Sequence, residues 1–257
     1  MTTVTAPAAA PAPPALARIW RIVRLITANP FTAIVTPWLI LGTIFVLNWL
    51  IWLILFANLP TESRSNAQDG IQWSGAAFYI FVYMLVLAVQ AINLSFPLAL
   101  GYGSTRREFT LGAMLTFVLL SAMYAVGMTI GAALEKATGG WGLNGTFFRT
   151  IYFGGDQVWY VQLWVYFCWF LFFFFTGTIF AAMYVRWKAT GLIVAFAVLA
   201  FLVVGGAALL TFTETWHVLW GTIADLGVVG SVSWLLVPAV LSAGLGYLVL
   251  RRATPRG

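Results

Sequence analysis

Six stretches of this chain run for about twenty residues or more without Asp, Glu, Lys, Arg or His. They lie at approximately 37–57, 76–100, 111–134, 161–185, 190–210 and 232–250. A bilayer core of roughly 30 Å takes about 20 helical residues to cross. Each stretch must be helical, because lipid offers no partner to an unpaired backbone group. With 62% hydrophobic and 8% charged residues, the chain is far from a soluble domain, in which about a quarter of residues are charged. The predicted fold is therefore all-α: a polytopic membrane protein with six transmembrane helices.

The cations set the orientation. Arg18, Arg21, Arg24, Arg106, Arg107, Arg186, Lys188, Arg251, Arg252 and Arg256 fall on one side of the six spans. Only Arg64, Lys136 and Arg149 fall on the other. Segments rich in Lys and Arg stay in the cytoplasm during insertion, so both termini are predicted to be cytoplasmic. The net charge of +6 then serves the membrane surface and not nucleic acid. One Cys (Cys168) and one His (His217) leave no intrachain disulfide and no Cys/His metal site.

Residues 1–15, "MTTVTAPAAAPAPPA", are low-complexity Ala and Pro and read as a disordered tail. Residues 16–30 follow as a cytoplasmic interfacial helix, and 31–257 as the six-span domain. On that first helix Arg18, Arg21 and Arg24 line one side and Ile19, Ile22, Val23 and Ile26 another, which suits anionic headgroups. Asn29-Pro30 is expected to stop it. Between the fifth and sixth spans, Trp216, Leu219, Trp220 and Ile223 share a face of a second amphipathic helix. Thr211 and Glu214 suggest its capping box, and Gly227 with Gly230 a re-entrant hairpin. The Gly-rich loop 135–160 has no assignment.

Catalysis finds no candidate residues. No carboxylate pair and no G-x-S-x-G nucleophile motif lies in the spans. No span carries an ionisable group of the kind ion-driven carriers use. Glu135 and Trp187 precede the two lysines, so no G-x-x-x-x-G-K-[ST] phosphate loop exists. The chain is thus expected not to be an enzyme, to bind no metal or cofactor, and to conduct passively or draw energy from elsewhere. Against that background "GYGSTRREFTLG" (101–112) stands out. Thr105 and Glu108 fit a capping box, while Arg106 and Arg107 sit in a first turn where the helix dipole disfavours them.

This layout resembles the type-2 ABC transporter permeases, mostly exporters. The shared features are six spans, an amphipathic helix before the first, the loop "GSTRREFxxG" after the second and an outer helical segment before the sixth. In that family the loop after the second span docks on a separate ATPase subunit. The resemblance implies this docking role for Gly103, Ser104, Thr105, Arg106, Arg107, Glu108, Phe109 and Gly112. It also implies ATP and Mg on the partner, and a second permease copy or a homologous permease. The setting it implies is a bacterial plasma membrane, in keeping with eleven Arg against two Lys. The alternatives are a passive channel or secondary transporter, or a non-transport sensor or assembly protein.

Within the spans, Pro97 frees the carbonyl of residue 93, and polar repair by Gln90 and Asn93 is expected. The aromatic run "WVYFCWFLFFFF" (164–175) is expected to face lipid, with a greasy substrate as the alternative. In a Cys168→Ala background, single cysteines at Ser65 and Ser104 test the topology. An impermeant thiol reagent should label the first in intact cells and the second only after lysis; the reverse pattern would overturn the orientation.

Overall fold

The computed structural model describes residues 14–60 and 63–252, so residues 1–13 of the predicted tail lie outside the described residues. The described residues form α-helices and short helical turns, with no strand among them. The helices are α1 (Ala15–Ile26), α2 (Thr36–Asn58), α3 (Arg64–Ile71), α4 (Tyr79–Gly101), α5 (Arg106–Ala137), α6 (Trp159–Phe212), α7 (Trp216–Ser233) and α8 (Leu236–Arg252). Five runs are long and apolar enough to cross a membrane: Phe31–Asn58, Asn66–Gly101, Arg106–Ala137, Trp159–Phe212 and Trp216–Arg252.

Where the sequence predicts two spans, 161–185 and 190–210, the structure has the single 54-residue run of α6. It is broken at Lys188, where φ is 57° and ψ −146°. Phe180 and Phe196 stack with ring centroids 5.0 Å apart. That length of straight helix would separate them by about 24 Å, so α6 folds back on itself at Lys188. A shorter reversal occurs in α7 at Gly227 (φ 63°, ψ −178°), a conformation open to glycine. Across it the Ser231 hydroxyl donates to the Ile223 carbonyl at 2.9 Å, so the expected hairpin is present. The expected capping box at its start is not. Thr211 belongs to α6, Glu214 turns the chain at φ 55°, and Thr215 is the residue before the helix. No residue of α7 is buried within the chain.

The first arm of α6 is the centre of the bundle. Tyr166, Phe170 and Phe174 are fully buried; Tyr166 meets the ring of Phe153, and the other two meet rings from α4 and α5. Phe81 lies 4.5 Å from Phe170, and Phe117 lies 5.1 Å from Phe174. The aromatic run expected to face lipid is therefore largely inside, because α4, α5 and α8 all pack against it. Gly177 admits α4 so closely that a Cβ there would stand 2.6 Å from the Leu85 carbonyl. The contacts Phe81–Phe170 and Ala88–Gly177 advance together, so α4 and this arm run parallel.

Asn29-Pro30 both separates α1 from the next helix and starts that helix. The Asn29 side-chain oxygen accepts from the N–H groups of Phe31 and Thr32 at 3.2 and 3.4 Å. The first membrane-length helix consequently begins before the predicted residue 37, through a wide turn at Phe31–Val35. Such a turn leaves a carbonyl without its helical donor. Tyr124 and Tyr83 hydroxyls repair it from across the bundle, donating to Ala33 at 2.7 Å and Thr32 at 3.1 Å.

A non-glycine residue in the backbone conformation of Lys188 carries about 1–3 kcal/mol of strain. Lys188→Gly should relieve it and, after the entropy cost of glycine, stabilise the protein by about 1 kcal/mol. Lys188→Ala keeps the strain and should give no gain. Thermal unfolding in detergent distinguishes the two, and equal midpoints would refute the strain.

Candidate functional site at the charged end of the bundle

The turn between α4 and α5 is held at both sides by backbone rules. Gly103, at φ 80°, closes α4: its N–H donates to Leu100 and that of Ser104 to Ala99, each at 3.0 Å. Thr105 then opens α5. Its hydroxyl accepts from the Glu108 N–H at 3.2 Å, and a Glu108 carboxylate oxygen accepts from the Thr105 N–H at 3.0 Å. The predicted capping box is present and the turn has no slack.

The other oxygen of Glu108 reaches α1, where the Arg18 guanidinium lies 2.8 Å away. The Thr105 N–H chiefly, with its hydroxyl and Arg18 adding to it, holds the Glu108 carboxyl below the usual carboxylate range against the opposing effect of burial. Gly112, one turn further on, receives α1 directly. A Cβ there would stand 2.5 Å from the Ile22 Cβ. Ile22 and Val23 are buried, while Arg21 and Arg24 are exposed. Arg106 turns the other way and donates to the Arg251 carbonyl at the end of α8, at 2.9 Å.

The predicted docking residues therefore divide. Gly103, Thr105 and Arg107 are exposed, and Ser104 is half-buried. Arg106 and Glu108 tie the turn to α8 and α1. Phe109 is fully buried with its ring 5.2 Å from Phe96, and Gly112 lies beneath Ile22. These last two shape the turn from inside and offer a partner no surface. Tyr102, which is 83% exposed at the tip, lies outside the predicted docking residues. Its aromatic ring between two glycines was the available signal.

Gln90, Asn93 and Pro97 do not form the expected repair. α4 remains helical through Pro97, and among the described residues neither amide donates a hydrogen bond. Gln90 and Pro97 lie on an exposed stripe with Val86, Leu94 and Leu98, directed away from the bundle. The Asn93 side-chain oxygen is buried without a partner.

At the opposite end, the Gly-rich loop that the sequence left unassigned is organised by Glu135. This carboxylate, fully buried at the end of α5, accepts from the N–H groups of Phe147 and Phe148 at 2.8 Å and of Arg149 at 3.1 Å. The Trp141 indole donates to it at 3.2 Å, and the Arg149 guanidinium lies 3.4 Å away. Asp156 joins the cluster by bridging Lys136 at 2.8 Å and Arg149 at 3.0 Å. The hydrogen bond from Lys136 chiefly, and then the charge of Arg149, hold the Asp156 carboxyl below its ordinary range despite some burial. Its contribution is present above the unfolded pKa and is lost as pH falls through the lower folded one. The described residues bring no three metal-ligating side chains together.

Comparison with protein-family models, curated proteins and solved structures gave no match for this chain.

Glu135→Ala would leave three backbone donors without an acceptor in a buried site and Arg149 with Asp156 as its remaining carboxylate, at a cost of about 3 kcal/mol or more. Thermal unfolding should fall accordingly, and limited proteolysis should open the segment 138–157. Asp156→Asn, at an exposed pair, should cost less than about 1 kcal/mol. The loop should also keep its protection between about pH 5 and pH 8. Equal effects of the two substitutions would contradict the assignment.

Proposed function

We propose that this chain is the membrane-spanning subunit of an ATP-driven exporter of the type-2 ABC permease kind, and that a separate ATPase docks on the turn at 102–107. In this reading the two arms of α6 are separate spans, giving six in all with both termini in the cytoplasm of a bacterium. The chain itself performs no catalysis; ATP and Mg belong to the partner. One observation carries the proposal. The turn between the second and third spans is rigid, capped and exposed at Tyr102 and Arg107, while its neighbours Arg106 and Glu108 are tied to the last and first helices. A push on such a tip reaches four helices at once.

A second copy of the permease, or a related one, fits the stripe on α4. Gln90 would otherwise present its amide to lipid at the middle of a span, where a polar group without a hydrogen-bond partner is costly. A passive conduit would need no rigid cytoplasmic tip.

The test is affinity capture of the tagged protein from its own membranes, followed by identification of any partner carrying a phosphate-binding loop. Truncating a charge buried at an interface costs roughly 2–5 kcal/mol. Arg107→Glu on that ground, and Tyr102→Ala because a tyrosine anchor buried at an interface commonly costs about 2 kcal/mol or more to truncate, should each reduce the captured ATPase by about tenfold or more. Arg64→Glu, at the other end of the bundle, should not. Unchanged capture with both tip variants, or no such ATPase with the unmodified protein, would sink the docking assignment.

A further inference from the structure

Lys188 occupies a backbone conformation that glycine adopts freely and other residues do not. A strained residue of this kind directs the question to its side chain. The ammonium is exposed at the turn between the arms of α6, two residues from Arg186, whose guanidinium lies 4.6 Å over the Trp187 ring. Beside them opens an apolar pocket of about 310 Å³, lined by Met183, Trp187, Thr190, Gly191 and Val194. Gly191 is needed for its shape, since a Cβ there would stand 2.8 Å from the Trp187 Cβ and 2.9 Å from the Met183 carbonyl.

The surroundings are short of negative charge. Among the described residues no carboxylate lies within ion-pair distance of Arg186 or Lys188. Because α4 and the first arm of α6 run parallel, this turn is level with the charged end of the bundle. Among the described residues the other charged groups at that end are Arg21, Arg24, Arg106, Arg107, Arg251 and Arg252, and Glu108, which Arg18 already holds.

We propose that the pocket is a binding site for one anionic phospholipid. An acyl chain lies along Met183, Trp187, Gly191 and Val194, and the phosphate is held by Lys188 and Arg186. The pairing matches the chemistry of each part. Lys supplies a mobile point charge, Arg a fork for phosphate oxygens, and Trp an amphipathic ring at the depth where headgroups meet hydrocarbon. The site requires a bilayer around the bundle but no ATPase, so it stands or falls separately from the exporter reading.

Native mass spectrometry of the detergent-purified protein tests it, with palmitoyl-oleoyl phosphatidylglycerol, the matching phosphatidylcholine and inorganic phosphate as probes. Arg21, Arg24 and Arg107 also attract anionic lipid, so the number of lipids retained is the deciding quantity. Lys188→Gly should remove one retained phosphatidylglycerol, or weaken it by about tenfold, without lowering the unfolding midpoint. Val194→Trp, which fills the pocket and keeps both cations, should remove the same one. Phosphatidylcholine should not replace it, and excess inorganic phosphate should not displace it. Equal retention of the two lipids would overturn the proposal, as would unchanged retention in either variant. Displacement by inorganic phosphate would make this a free-anion site. A dimer abolished by Val194→Trp would make it a contact between copies.

Discussion

A helix that deviates from its regular ladder inside an apolar bundle leaves backbone groups that only a side chain can serve. Much of this structure follows from that constraint. The wide turn at the start of the first long helix is repaired by Tyr124 and Tyr83. In the loop after α5, Tyr166 donates to the Phe148 carbonyl at 2.6 Å and Gln162 to that of Phe153 at 3.0 Å. Glu135 collects three N–H groups from the same loop. Arg106 serves a carbonyl at the end of α8. Each repair comes from a different element from the one it mends, so the irregular segments hold the helices together.

This constraint also governs what could be read in advance. The helical, apolar character of the membrane-length runs is a local property and was legible in the sequence, whereas the start of the first run and the joining of two predicted spans in α6 were not. The Thr105–Glu108 cap and the reversal at Gly227 were legible too, because each depends on residues a few positions apart. The role of Glu135 was not legible: its partners lie up to fourteen residues downstream, in a loop whose glycines gave no periodic signal. The aromatic run at 164–175 misled for a related reason. Hydrophobicity alone marks a helix for the membrane but does not say whether its faces meet lipid or other helices. Gln90 and Asn93 were assigned to Pro97 by proximity, whereas the fold directs one outward and leaves the other without a partner.

At the charged end, the residues expected to form one surface turn out to have three kinds of work. Some keep the turn in shape, some join it to α1 and α8, and a few remain free to meet another molecule. A short motif read only as a contact surface would have missed this division. The same division explains why a heavily charged knot is tolerated so close to hydrocarbon: its one acid has both oxygens occupied, and one of its arginines closes a neighbouring helix.

Helix α5 has a glutamate near each end, and both are fixed to other parts of the chain. Glu108 is joined to α1, and Glu135 to the loop that covers the far end. The helix between them is continuous, spanning roughly 40 Å at about 1.5 Å per residue. In mechanical terms it is a rod with a pin at each end. A rod can tilt or turn about its pins, but it cannot shorten. A displacement of the Glu108 pin along the helix axis must therefore appear at the opposite pin, whereas one across the axis can be taken up by tilting.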